Sequence, residues 1–264
     1  MPRTDAPKML FVGWDVGGWN CDYNPKSRDA LAILDAERQT VGHPWRGNLR
    51  QLINQSSSTE QFVQRLLALC GAEAVFQQPV QMLMGIDTPL GCSRPFIDLI
   101  THGCTAAMIG DSQKNPYLHR RTEHFLFERG LAPLSPIKDM IGSQATKGMH
   151  VTGRFAPTKE RCGVWTDNQF LRAFEAYPSA CKRSSWIKQL RAPFHQYDAA
   201  GVALPGEFVA GLEHVDVQDA LTCALIAWTF EFQPDLIAQP GPEIDPVEGW
   251  IFVPTDCLLM PKDE

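Results

Sequence analysis

The sequence has no run of about 20 apolar residues, the length a membrane-spanning helix needs, so no membrane partner is expected. Its first ten residues, MPRTDAPKML, lack an apolar signal-like core, which makes cytoplasmic residence the expectation. The eight cysteines are scattered at 21, 70, 92, 104, 162, 181, 223 and 257. None forms a CxxC pair and no two lie closer than twelve residues, which argues against a zinc ribbon or a disulfide framework. HExxH is absent, and His119 and His124 stand five apart, one too many for two ligands on one helix face. No internal repeat and no low-complexity linker breaks the 264 residues, so one domain over 1–264 is expected.

What is present fits a folded α/β chain. Hydrophobic residues make up 44% and charged residues 20%, a globular balance. Residues 9–16 read as a buried strand and 29–37 as a weaker one. A helix over 57–71 opens on the capping pair Ser57 and Glu60 and closes at Gly71. VQMLMGID (80–87) is a strand stopped by Thr88-Pro89. Asn115-Pro116 is an N-cap and first-turn pair for a helix running to Gly130. LRAFEAY (171–177) reads as a third strand and 216–232 as a long helix rich in Ala and Leu. Strands alternating with helices indicate a mixed sheet flanked by helices.

Charge is unevenly placed. The formal net charge of −6 disfavours nucleic acid on its face. Yet residues 112–161 carry nine Lys/Arg against four Asp/Glu, and 182–191 add four cations and no acid. Residues 205–264 carry twelve acids and one Lys262. A basic helical insertion over 112–165 and a loosely packed acidic tail over 233–264 are therefore expected. The bland account of most of these charges is a solvated face.

One feature resists a bland account. Asp15 sits inside MLFVGWDVGGW (9–19), an otherwise buried run, and a buried carboxylate is costly unless paired, hydrogen-bonded or bound to a metal. A second strand ends on Asp87, a third carries Glu175, and Asp216 and Asp219 stand one turn apart at the start of the last helix. Carboxyl ends of parallel strands and the start of a packed helix converge on one edge of an α/β sheet. Five acids there would repel, and a divalent cation relieves the conflict; oxygen-only ligands select Mg²⁺ or Mn²⁺. Taken singly, each has another reading: Asp216 an N-cap, Asp219 a helix-dipole partner, Asp87 a turn residue, Glu175 a solvent-facing edge residue.

Five segments in this order, VGWDVGGW (12–19), MGIDTPLG (84–91), HRRTEHFLFERG (119–130) leading to SPIKDMIGSQATKG (135–148), FEAYPS (174–179) and VDVQDALTCALIAW (215–228), resemble the bacterial predicted-nuclease family of the ribonuclease H-like fold, a family defined as a domain of unknown function. The resemblance implies a metal-dependent nuclease whose acids on the first strand, a later central strand and the final helix hold metal ions. Asp15, Asp87, Asp216 and Asp219 match those positions, and Glu175 matches the acid of the family's E-x-x-P element. Family members often carry a second acid or a base just after the first glycine, where this chain has Val16-Gly17-Gly18.

Two Mg²⁺ ions about 4 Å apart would activate a water and stabilise the leaving oxygen of a phosphodiester. Arg120, Arg121 and Lys147 are the candidates for contacts to nucleic-acid phosphates, DNA or RNA, and Trp14 and Trp19 for stacking on bases or packing on the sheet. A rival reading takes G-x-D-x-G-G as the phosphate loop of an actin-like, sugar-kinase type ATPase or phosphotransferase, although no second glycine-rich adenosine motif is found. A third is a catalytically silent interaction module on the ribonuclease H-like fold.

Overall fold

The computed structural model describes residues 7–195 and 214–259. Its framework is an open, mixed sheet of eight strands flanked by helices. Strand β1 (Lys8–Asp15) lies at the centre. On one side it pairs antiparallel with β2 (Asp29–Leu34), which pairs antiparallel with β3 (Trp45–Gly47). On the other side it runs parallel to β4 (Val80–Asp87), and β4 runs parallel to β7 (Leu171–Ala176). Between them in sequence come β5 (Thr158–Arg161) and β6 (Val164–Thr166), antiparallel to each other, with β6 antiparallel to β7. The short β8 (Ile251–Phe252) extends the carboxyl end of β7 in parallel.

Alternation along the central strands divides the core in two. Leu10, Val12 and Trp14 of β1 and Met82, Met84 and Ile86 of β4 face α2 (Thr59–Leu69) and α5 (Gly142–Phe155). Phe11 and Leu83 face the opposite layer, which contains α7 (Val215–Phe232). α7 is buried on nearly every side, from Val217 through Ala220, Leu221 and Cys223 to Phe230, and its alanines let it lie close to the strands. The other α-helices among the described residues are α1 (Arg50–Gln55), α3 (Arg94–His102), α4 (Arg121–Phe127) and α6 (Ser185–Arg191).

Where expectation and structure differ, local chemistry gives the reason. The cap of α2 is Ser58, whose hydroxyl accepts from Gln61 N at 3.2 Å, one residue beyond Ser57. The helix expected over 115–130 is only Arg121–Phe127, because Asn115 Oδ1 accepts from Tyr117 N at 3.0 Å and closes a turn instead. The stretch 112–165 is not a purely helical insertion, since β5 and part of the sheet edge at β6 come from it. The tail is not loosely packed either. Ile237, Trp250, Ile251, Phe252, Val253 and Cys257 are buried in the α7-side core, and the prolines and glycines around them are tight turns between buried residues.

Candidate metal and active site

Asp15 and Asp87 are direct neighbours in the parallel ladder of β1 and β4, at the carboxyl end of each strand. Two residues earlier the ladder pairs Gly13 with Gly85. Both glycines lie under α7: a β-carbon at Gly13 would run into Ala220 O, and one at Gly85 would stand 2.7 Å from Cys223 O. The missing side chains bring the helix backbone down onto the sheet. Its first turn, with Asp216 and Asp219, then lies over the strand ends that carry Asp15 and Asp87.

The acids divide by how they are satisfied. Asp216 is ion-paired with Arg46 (2.7 Å to Nη2, 2.8 Å to Nε) and accepts from Arg28 N at 3.1 Å. Among the described residues neither Asp15 nor Asp87 has a hydrogen-bonding or cationic partner for its carboxylate. The Asp15 carboxyl is held well above the usual range, first by burial and then by Asp87, Asp219, Asp216 and Asp29. Asp87 is raised by burial, then by Asp219 and Glu175. Asp219 is raised by burial against the opposing pull of Lys182 and Arg191. Asp15 and Asp87 thus face one another with no compensating cation among the described residues.

Glu175 lines the same cavity and its charge acts on Asp87, but it is satisfied by protein. Its register partner is Ile86, so the pleat sends it to the other face from Asp87. There Arg120 holds it with two bonds of 2.8 Å, while Leu90 N donates to Oε2 at 2.9 Å. Burial raises its carboxyl and Arg120 lowers it.

Two of the three expected phosphate contacts are overturned. Arg120 is fully buried between Glu123 and Glu175 and also donates to Glu248 O. Lys147 is fully buried on Asp29, with further bonds to Asn48 Oδ1 and to the carbonyls of Gly17 and Gly18. A desolvated cation held by buried carboxylates is not presented to a polyanion. Arg121 is exposed. Trp14 is core, its indole N–H donating to Asp29 at 3.0 Å, and Trp19 is tied to Ser143 and Thr146 of α5.

Asp29 is the acid that sequence reasoning missed. It accepts from Trp14, Gly17 N, Leu49 N and Lys147 and organises the loop after β1. Its one signal was an acid opening the apolar run DALAIL (29–34), whereas Asp15 lies inside such a run.

Asp15 and Asp87 open into a cavity of about 390 Å³, whose wall includes Thr88, Pro89, Pro133, Ile141 and Tyr177. Among the described residues no three His, Cys, Asp or Glu side chains form a closed metal-binding group. The donor set that is present, two unpaired carboxylates with a third nearby, nevertheless fits Mg²⁺ or Mn²⁺. Mg²⁺ keeps several waters and commonly takes one or two carboxylates plus substrate phosphate instead of a protein cage. Comparison with protein-family profiles, with curated proteins and with solved structures found no match for this chain.

Proposed function

We propose that the protein is a Mg²⁺- or Mn²⁺-dependent nuclease of the ribonuclease H-like type, hydrolysing phosphodiester bonds of nucleic acid at Asp15 and Asp87. The observation that carries this reading is the register pair of unpartnered carboxylates lining a cavity, while the other buried acids among the described residues, Asp29, Glu123, Glu175, Asp216 and Glu248, all have partners. Acids on the first strand, the next parallel strand and the start of the last long helix support the ribonuclease H-like assignment.

Bound there, divalent ions would polarise the phosphate and lower the pKa of an attacking water. Asp15 and Asp87 would hold the ions, with the Asp219 carboxylate of α7 close enough to act on Asp15. Asp216 keeps Arg46 and the 28–29 backbone in place below them. Glu175 is a positioning residue, since it ties Leu90 N, three residues after Asp87, to Arg120. Lys182 and Arg191, whose charges act on Asp219, mark the side from which phosphate approaches.

The test compares wild type with Asp15→Asn in melting and cleavage assays. Wild type is expected to be stabilised by Mn²⁺ and to cut a mixture of DNA and RNA oligonucleotides; Asp15→Asn should do neither. Stabilisation by ATP with no strand cleavage would favour the phosphotransferase reading. If neither Mn²⁺ nor ATP acts, the silent module is left.

A further inference from the structure

We propose that the cavity beside Asp15 and Asp87 is a pocket for one unpaired nucleobase, so that the substrate is a single strand or a locally opened duplex. The inference rests on the nuclease reading for the phosphate that the base accompanies. Two unsatisfied polar atoms in the cavity wall carry it. Thr88 is only 5% exposed, and its Oγ1 is buried without a hydrogen-bond partner among the described residues. Its methyl group is held against Gly148 of α5, where a β-carbon would meet Thr88 Cγ2 at 2.5 Å. Gln144 Oε1, on the first turns of the same helix, is likewise buried and unpartnered.

Orphaned polar atoms are uncommon in folded proteins and call for an explanation, which a bound ligand's hydrogen bonds supply. The wall combines the apolar Pro89, Pro133, Leu134 and Ile141 and the Tyr177 ring, fixed by its hydroxyl donating to Ala132 O at 3.1 Å, with the polar Ser27, Glu175 and Ser179 beside the two aspartates. Apolar side chains and an aromatic ring for the faces, with polar groups placed among them, suit a planar heterocycle with hydrogen bonds on its edge. The volume of about 390 Å³ is in the range of small-ligand pockets. Thr88 directly follows Asp87, so a base touching its hydroxyl belongs to the nucleotide whose phosphate lies at the carboxylates. A stacked, paired base cannot enter, hence the preference for an unpaired one.

The experiment has a binding arm and a cleavage arm. Adenosine, guanosine, cytidine and uridine are titrated separately into the metal-free protein by calorimetry. The variants are Thr88→Val, which keeps the shape and removes the hydroxyl, and Leu134→Trp, which fills the cavity from an exposed position. Mn²⁺-dependent cleavage is then measured on a single strand, on the same strand with one abasic site, and on its duplex.

At least one nucleoside should bind, at least tenfold more weakly in both variants. Cleavage next to the abasic site and in the duplex should fall at least tenfold. Cleavage that ignores the abasic site, with no nucleoside bound, overturns the pocket and leaves the nuclease standing. Nucleoside binding that is lost in Thr88→Val, without cleavage of any strand, supports the pocket and overturns the nuclease. Absence of both overturns both.

Discussion

Two acids of the same type in adjacent strands, Asp15 and Asp29, show what separates a structural carboxylate from a candidate ligand. Asp29 is charge-balanced by Lys147 and accepts from two backbone amides and an indole, whereas Asp15 has Asp87 beside it and no partner among the described residues. This difference is measurable through pH. Burial and Asp87 raise the folded-state pKa of Asp15 above the unfolded value of about 3.9. The folded state therefore binds the proton more tightly, and the stability it contributes is complete in acid and lost as pH rises through the raised pKa. Asp15→Asn removes that titration. In metal-free buffer the melting temperature of the variant relative to wild type should climb as pH rises from about 4, and saturating Mn²⁺ should reverse the order by stabilising wild type alone. A difference independent of pH would mean that Asp15 is satisfied in the fold. Arg120 makes the opposite case. Arg120→Met strands Glu123 and Glu175 in the core, and the expected loss is about 3–5 kcal/mol in urea unfolding at neutral pH. Sequence showed Asp15, Asp87 and the helix acids because each interrupts or ends an apolar run. It could not show which acids are neutralised, because Arg120 and Glu175 lie 55 residues apart and Lys147 and Asp29 lie 118 apart.

The meeting of β1, β4 and α7 depends on the backbone contact at Gly13 and Gly85. A methyl group at Gly13 meets the Ala220 carbonyl, a backbone atom that yields only if the helix moves as a whole. Gly13→Ala should therefore cost about 3 kcal/mol, the upper end of overpacking, and should weaken Mn²⁺ stabilisation by lifting Asp219 away from the strand ends. Gly153→Ala is the control: Gly153 is exposed on α5 with nothing within 4 Å of an added β-carbon, and the change should stabilise by about 0.5–1 kcal/mol. Urea unfolding of the two variants measures both. At this scale the sequence was legible where burial is continuous. β1, β2, β4, β7, α2 and α7 all follow from apolar runs or faces. α5 was not legible, because its glycines lower helix propensity and its buried face includes Lys147, Gly148 and Thr152. β5 is wholly exposed and β8 has two residues, so neither carries a pattern that could announce it.

Over the whole molecule, the basic stretches divide into an inward and an outward set. Besides the buried Arg120 and Lys147, the cations of 112–161 include Arg154 on Ser56 O, Lys159 on Pro246 O and Arg161 on Gln239, where they hold chain segments together. Their count in the sequence suggested a polyanion surface because composition does not record which charges are already spent on the fold. The 182–191 stretch differs. Lys182, Arg183 and Lys188 are exposed, Lys182 and Arg191 act electrostatically on Asp219, and α6 packs on α7. A strand whose phosphate sits at Asp15 and Asp87 would run over these cations before meeting any from 112–161. Each phosphate contact releases counterions and adds about one to the slope of log affinity against log salt. Lys182→Glu combined with Lys188→Glu should therefore weaken binding of a single-stranded oligonucleotide and lower that slope by about two, whereas Arg121→Glu should leave it unchanged. Fluorescence anisotropy in metal-free buffer across a salt series measures both without cleavage. If Arg121→Glu lowers the slope and the double variant does not, nucleic acid crosses the α4 side of the molecule, and the acids at the strand ends are approached from the opposite direction.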